Sequence, residues 1–219
     1  MAEPQTFFVF DVESVGLHGE AWAFGYVVVT RDGEELDCGK FSCWLDNAKG
    51  EDADREWVLL HCPDARDSRN GCAPPACTNP AELRAAFWAA WMRWREKGAV
   101  AVADCSWPVE ARFLASCIDV DPLVRRWQGP YPLHDVATAR LCANLDPLEN
   151  VGRLPNELPK HDPLADARQS ARLFLEALHE GSSWHKAYAS GVEEGRRLAE
   201  EGADDSNEAI VQSMLERDR

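Results

Sequence analysis

Positive charge is scarce in this chain. Its 219 residues carry 23 lysines and arginines against 38 aspartates and glutamates, a formal net charge of −15. Sequence-independent binding of duplex nucleic acid depends on basic side chains neutralising many phosphates, so that mode is disfavoured and any nucleic acid must be gripped locally. Also missing is an apolar run of signal-peptide or membrane-spanning length after MAEPQT, which predicts a cytoplasmic protein with no membrane partner. In a reducing compartment the eight cysteines are expected as free thiols, not disulfides. A zinc site drawn from Cys38, Cys43, His61, Cys62, Cys72 and Cys77 is poorly supported. The four-residue gaps within Cys38/Cys43 and Cys72/Cys77 stand at the wide edge of ligand spacing. Internal repeats are absent as well.

What is present is a packed globule. Hydrophobic residues make up 45% of the chain and nine are tryptophan, enough for one domain with a substantial core, alone or with a tail. The stretch around which the rest is organised is FFVFDVESVG, Phe7 to Gly16. A run of aromatics and valine about the length of a buried strand ends in two carboxylates, Asp11 and Glu13. On a strand, side chains at i and i+2 share a face, so both can offer oxygens to one point in space. Oxygen-only ligation suits Mg²⁺ or Mn²⁺. Far along the chain, Lys160 to Ala167 reads KHDPLADA. With Pro163 in the first turn of a helix, His161 lies on the loop leading in and Asp166 in the first turn. An imidazole titrates near neutrality and can take a proton from water, while a carboxylate beside it holds a metal. Asp162 would cap that helix.

Together these segments resemble the DEDDh family of 3′→5′ exonucleases, whose first motif is F-D-x-E-T/S-x-G and whose third is H-x4-D. Here they read Phe10-Asp11-Val12-Glu13-Ser14-Val15-Gly16 and His161 through Asp166, with roughly 150 residues between them, and the resemblance spans about Thr6 to Glu180. It implies an α/β, ribonuclease-H-like fold: a mixed β-sheet, its first three strands antiparallel, flanked by α-helices. It also implies removal of nucleoside 5′-monophosphates from single-stranded 3′ ends of RNA or DNA, with two divalent ions held by four acids and His161 as general base. Ser14 and Gly16 stand where the family contacts the terminal nucleotide, and Leu17 where a hydrophobic residue wedges against the last base. Several relatives are dimers, so a homodimer is among the expected partners. A non-catalytic binding module that keeps the fold is the competing reading.

The second motif departs from the family pattern. Relatives carry an asparagine, an aromatic and a metal-binding aspartate in the first turn of a helix, with leucine four residues beyond. VADCSWPVEARFL, Val102 to Leu114, offers two acids instead. Alignment by Leu114 puts Glu110 in the aspartate's place, Ser106 in the asparagine's and Val109 in the aromatic's. Asp104 ends a strand and is the other candidate ligand. In chain order, Ala21 to Thr30 and Leu36 to Leu45 read as strands joined at Arg31-Asp32-Gly33. Asn47 to Asn79 reads as a long loop with one short helix, rimming the substrate cleft. Asn79-Pro80-Ala81-Glu82 is a capping-box pattern opening a helix that stops at Gly98. Its stripe of Leu83, Phe87, Trp91 and Trp94 reads as core, not as a platform for bases. Ala99 to Asp104 is a central strand, Trp107-Pro108 opens a helix through Cys117, and Tyr131 to Asp135 is a last strand with Asp135 capping Val136 to Ala143. The expected domains are residues 1–181, with a 46–79 insertion, and an acidic, partly helical extension over 182–219.

Overall fold

A computed structural model describes residues 6–70, 74–181 and 193. Met1–Ala177 form one compact unit and Leu178–Arg219 a second. Apart from residue 193, the expected helical character of 182–219 falls outside the described residues, as does Cys72.

Three strands come first: β1 (Thr6–Ser14), β2 (Ala21–Thr30) and β3 (Glu35–Ser42). The Arg31-Asp32-Gly33 signal acts as read, since Gly33 takes a positive φ of 88° and Thr30 exchanges backbone hydrogen bonds with Gly33 and Glu34. Two helices follow where one was expected, α1 (Asp52–His61) and α2 (Pro63–Arg69). Cys62 between them is extended, as a residue before proline prefers, and Pro63 restarts the helix at its first position. α3 (Pro80–Arg95) is capped as the sequence suggests. The Asn79 side chain accepts from Ala81 and Glu82 N–H, although Glu82 reaches back to Thr78 N–H and not to that of Asn79.

β4 (Val100–Ala103) leads into an irregular turn, Ser106–Glu110, and then α4 (Ala111–Ile118). The helix therefore begins three residues after Pro108 and not at it. Trp107 is extended, because proline drives the residue before it out of the helical region. α5 (Pro122–Arg125), β5 (His134–Asp135) and α6 (Val136–Cys142) follow. β5 is shorter than the expected Tyr131 to Asp135, since Pro132 has no N–H to give the ladder. Asp135 does cap α6 through Thr138 N–H at 2.7 Å. The last helix, α7, starts at 163 and runs to 181.

The five-stranded sheet has the order β3-β2-β1-β4-β5, with β1, β2 and β3 antiparallel and β4 and β5 parallel to their neighbours. Period-two alternation along β1 assigns its faces. Phe8, Phe10 and Val12 point toward α3, with Phe87 5.9 and 5.2 Å from the Phe8 and Phe10 rings. Leu83, Phe87, Trp91 and Trp94 are all buried, so the aromatic stripe is core. On the opposite face Phe7 meets Phe174 of α7 edge-on at 5.1 Å, and Ala167, Ala171 and Phe174 are buried there at helical spacing. Asp11 and Glu13 belong to that α7 face. So does Asp104, because the pairing of Val9 with Val102 carries the alternation into β4.

Candidate active site

Asp11 sits opposite Gly25 of β2. A Cβ on Gly25 would lie 2.3 Å from Leu164 N and from the Pro163 carbonyl carbon, so its absence lets the start of α7 rest directly on the sheet beside Asp11. Any side chain there would lift the helix, and Asp166 with it. The helix end is fixed by Asp162, whose Oδ1 accepts Leu164 and Ala165 N–H at 3.0 and 3.1 Å. Its other oxygen holds Lys40 Nζ at 2.7 Å, and Lys40 also reaches Asp64 of α2 at 2.8 Å. His161, one residue earlier, takes a left-handed φ of 60°, held there by its N–H donating to Asp166 Oδ2 at 3.0 Å.

This arrangement brings ligand atoms of Glu13, His161 and Asp166 within 4.8 Å of one another, the one such group among the described residues. His161 Nδ1 stands 4.0 Å from Glu13 Oε1. Burial and the neighbouring carboxylates of Glu13, Asp166, Glu110 and Asp104 push the Asp11 carboxyl well above its usual range. Burial, then Asp166 and Glu110, push Glu13 up to about 7. Asp166 is also raised, by burial, against the lowering pull of Arg153 and the His161 N–H. Clustered acids that gain so little from one another fit the oxygen donor set of a hard divalent cation.

The two candidates of the second motif occupy different surroundings. Glu110 is only 6% exposed, and burial raises it to about 7. Its carboxylate accepts hydrogen bonds from its own N–H and from Val12 N–H. β1 outruns β4, which ends at Ala103, so the Val12 N–H has no strand partner on that side and Glu110 supplies one. Asp104 is exposed and accepts a hydrogen bond from Ser170 Oγ of α7 at 3.0 Å.

Ser14, Gly16 and Leu17 line a cleft of about 380 Å³ together with Glu13 and His161. Ser14 Oγ donates to Gly16 O at 2.6 Å, and Gly16 takes a φ of 68° with Asp54 packed where a Cβ would go. Leu17 is 64% exposed at its rim. Sequence reasoning missed the other wall, Asp54 and Trp57 of α1. Trp57 stacks on His61 at 4.3 Å and meets the His161 ring edge-on at 5.2 Å. A lone tryptophan in a polar, cleft-rimming loop was the available signal. Arg153 was missed too: it makes an ion pair with Asp166, and no spacing rule points to it. Cys43, Cys62 and Cys77 are buried free thiols, with Cys62 Sγ 4.0 Å from Glu13 Oε2.

No family model matches the chain, and no curated protein matches it in sequence. Solved structures similar in fold include two of exonuclease I. E. coli exonuclease I in complex with a dA16 oligonucleotide has a TM-score of 0.52 at 16% identity, over 83% of this chain and 43% of that one. Apo exonuclease I has a TM-score of 0.52 at 16% identity, over 79% and 42%. The chain thus spans a little over two fifths of these proteins, and its fold is ribonuclease-H-like, a mixed sheet flanked by helices. Among the described residues no helix is long and apolar enough to cross a membrane.

Proposed function

We propose that the chain is a divalent-metal-dependent 3′→5′ exonuclease that releases nucleoside 5′-monophosphates from single-stranded ends. The observation that carries this reading is the convergence of Glu13, His161 and Asp166 within 4.8 Å, beside Asp11, at the end of β1. Asp11, Glu13, Asp166 and Glu110 would hold Mg²⁺ or Mn²⁺, two ions by the family pattern, with Asp104 the alternative to Glu110. Bound there, the ions would acidify a water and stabilise charge on the departing 3′ oxygen.

The chain's own residues do the rest. His161, half-buried at the mouth of the cleft and pointed at Glu13, would take the proton from the attacking water. Ser14 and the backbone at Gly16 line the position of the terminal sugar. Leu17 and Trp57, apolar and exposed within one cleft, are placed to enclose the terminal base. A cleft of about 380 Å³ is at the small end of ligand sites and suits one nucleotide, not a duplex. Of the two nucleic acids, the dA16 strand bound to the similar structure favours DNA. A 5′-labelled single strand given Mg²⁺ or Mn²⁺ should shorten one nucleotide at a time. A strand that stays full length with both metals, or is cut internally, rejects the assignment.

His161→Ala should lower turnover by roughly 10² to 10⁴, the usual worth of a general base. Mn²⁺ affinity should stay nearly unchanged if the ring is a base and not a ligand. A variant as fast as wild type would remove the role, and one that loses Mn²⁺ would make His161 a ligand. One observation favours the second reading, a binding module without chemistry: the Arg153 guanidinium sits on Asp166, where a catalytic ion is wanted.

A further inference from the structure

We propose that Arg153 is a tethered cation that holds Asp166 until a nucleic-acid phosphate draws the guanidinium away, so that the second divalent ion binds together with substrate. The inference rests on the exonuclease reading above.

Both oxygens of Asp166 are engaged: Oδ2 accepts His161 N–H at 3.0 Å, and Oδ1 accepts Arg153 Nη1. Each side chain is only 15% exposed, so water screens the pair less than a surface ion pair. Arg153 is delivered there by construction. The same Nη1 donates to Glu157 O at 2.9 Å. Glu157, 1% exposed, accepts Leu154 N–H and receives the Arg172 guanidinium on both oxygens, at 2.7 and 2.9 Å. Arg172 and Gln169 of α7 further bind Gly152 O and Val151 O. The segment carrying Arg153 is thus fastened to the helix carrying Asp166 on both sides of the arginine. A charged side chain landing by chance on an acidic surface would not have this backing.

Arginine stays charged at every accessible pH, so deprotonation cannot release it from Asp166, whereas exchange for another anion can. A phosphate offers its guanidinium an equally good, bidentate partner. The site then trades one cation on Asp166 for another while the arginine moves onto substrate. Lys40, the neighbouring cation, is already committed to Asp64 and Asp162. Because coupling between sites is reciprocal, phosphate should tighten the second ion and the second ion should tighten phosphate.

The test is a Mn²⁺ titration of the metal-free full chain, followed by the resonance of free Mn²⁺, with and without thymidine 5′-monophosphate. Wild type should bind one ion alone and a second at least about 10-fold more tightly once the nucleotide is added. Arg153→Gln should bind the second ion about 10-fold more tightly than wild type without nucleotide, and lose the nucleotide's effect. Arg153→Lys, which keeps charge but not the fork, should fall between. A disrupted fold would weaken Mn²⁺ binding, the opposite of this result. Equal or weaker binding by Arg153→Gln overturns the inference alone. A wild-type chain that binds no Mn²⁺ overturns the exonuclease reading and this inference with it.

Discussion

Asp11→Asn should yield a folded chain that removes no nucleotides from a labelled strand and yet, free of metal above pH 7, melts at a higher temperature than wild type. The loss of turnover should be at least about 10³-fold, on the order of the several kcal/mol that a bound metal's charge supplies to a transition state. The gain in stability follows from the same geometry. Burial and the acids around it raise Glu13 from an ordinary 4.5 to about 7, and burial, then Glu13 and Asp166, raises Asp11 well above its ordinary range, so the folded chain binds protons that the unfolded chain has released. Stability is therefore fully present below the ordinary carboxylate range and falls as pH rises through the window from 4.5 to about 7. Replacing Asp11 by a neutral isostere removes one of the repelling charges, so melting curves should separate above pH 7 and converge near pH 4.5. Added Mg²⁺ should stabilise wild type and leave the variant nearly unmoved. If the two proteins melt alike at all pH values without metal, the acids do not repel as described, and the fit to a cation loses its physical basis. A site that weakens its own fold until it is filled is a common cost of catalytic charge.

That pairing of Asp11 with Glu13 was legible in ten residues, because strand periodicity is a local rule that needs no knowledge of the partner strands. So was the first turn of α7, since Asp162 as cap and Pro163 at the first helical position are signals read within four residues. The stripe on α3 proved to be core for the same reason. What escaped depends on where the chain returns to itself. Arg153 reaches Asp166 only because Glu157 and Arg172 bind one another across a turn of irregular backbone, and that turn has no periodicity to read. Trp57 matters because α1 folds over Gly16, where Asp54 occupies the space of a missing side chain. Nothing in the spacing of Trp57 from Glu13 announces it. The second helix of the insertion was hidden behind Cys62-Pro63, a pair that reads equally well as a stop and as a restart.

The same distinction decides what to expect of the two acids in the second motif. Glu110→Gln should destroy both Mn²⁺ affinity and turnover, whereas Asp104→Asn should leave Mn²⁺ binding nearly intact and lower turnover modestly. Glu110 is buried, is raised to about 7, and contributes to the charge felt by Asp11 and by Glu13 alike. Asp104 is exposed, acts on Asp11 as the weakest of its carboxylate neighbours, and has a hydroxyl partner in Ser170. An acid with water and a donor at hand has no need of a cation; a buried one facing two more carboxylates does. The substitution is a clean probe because the Gln carbonyl can still accept the Val12 N–H, so the seam where β1 outruns β4 stays closed and lost binding reports lost charge. Asp104 would then act by holding Ser170, and through it the helix that carries Asp166, as an outer partner of a ligand does. Reversal of the two results would give Asp104 the ligand's role and make Glu110 a structural cap for β1. If neither substitution changes Mn²⁺ affinity or turnover, the four-acid site itself fails, and the binding module with Arg153 seated permanently on Asp166 becomes the better account of the same geometry.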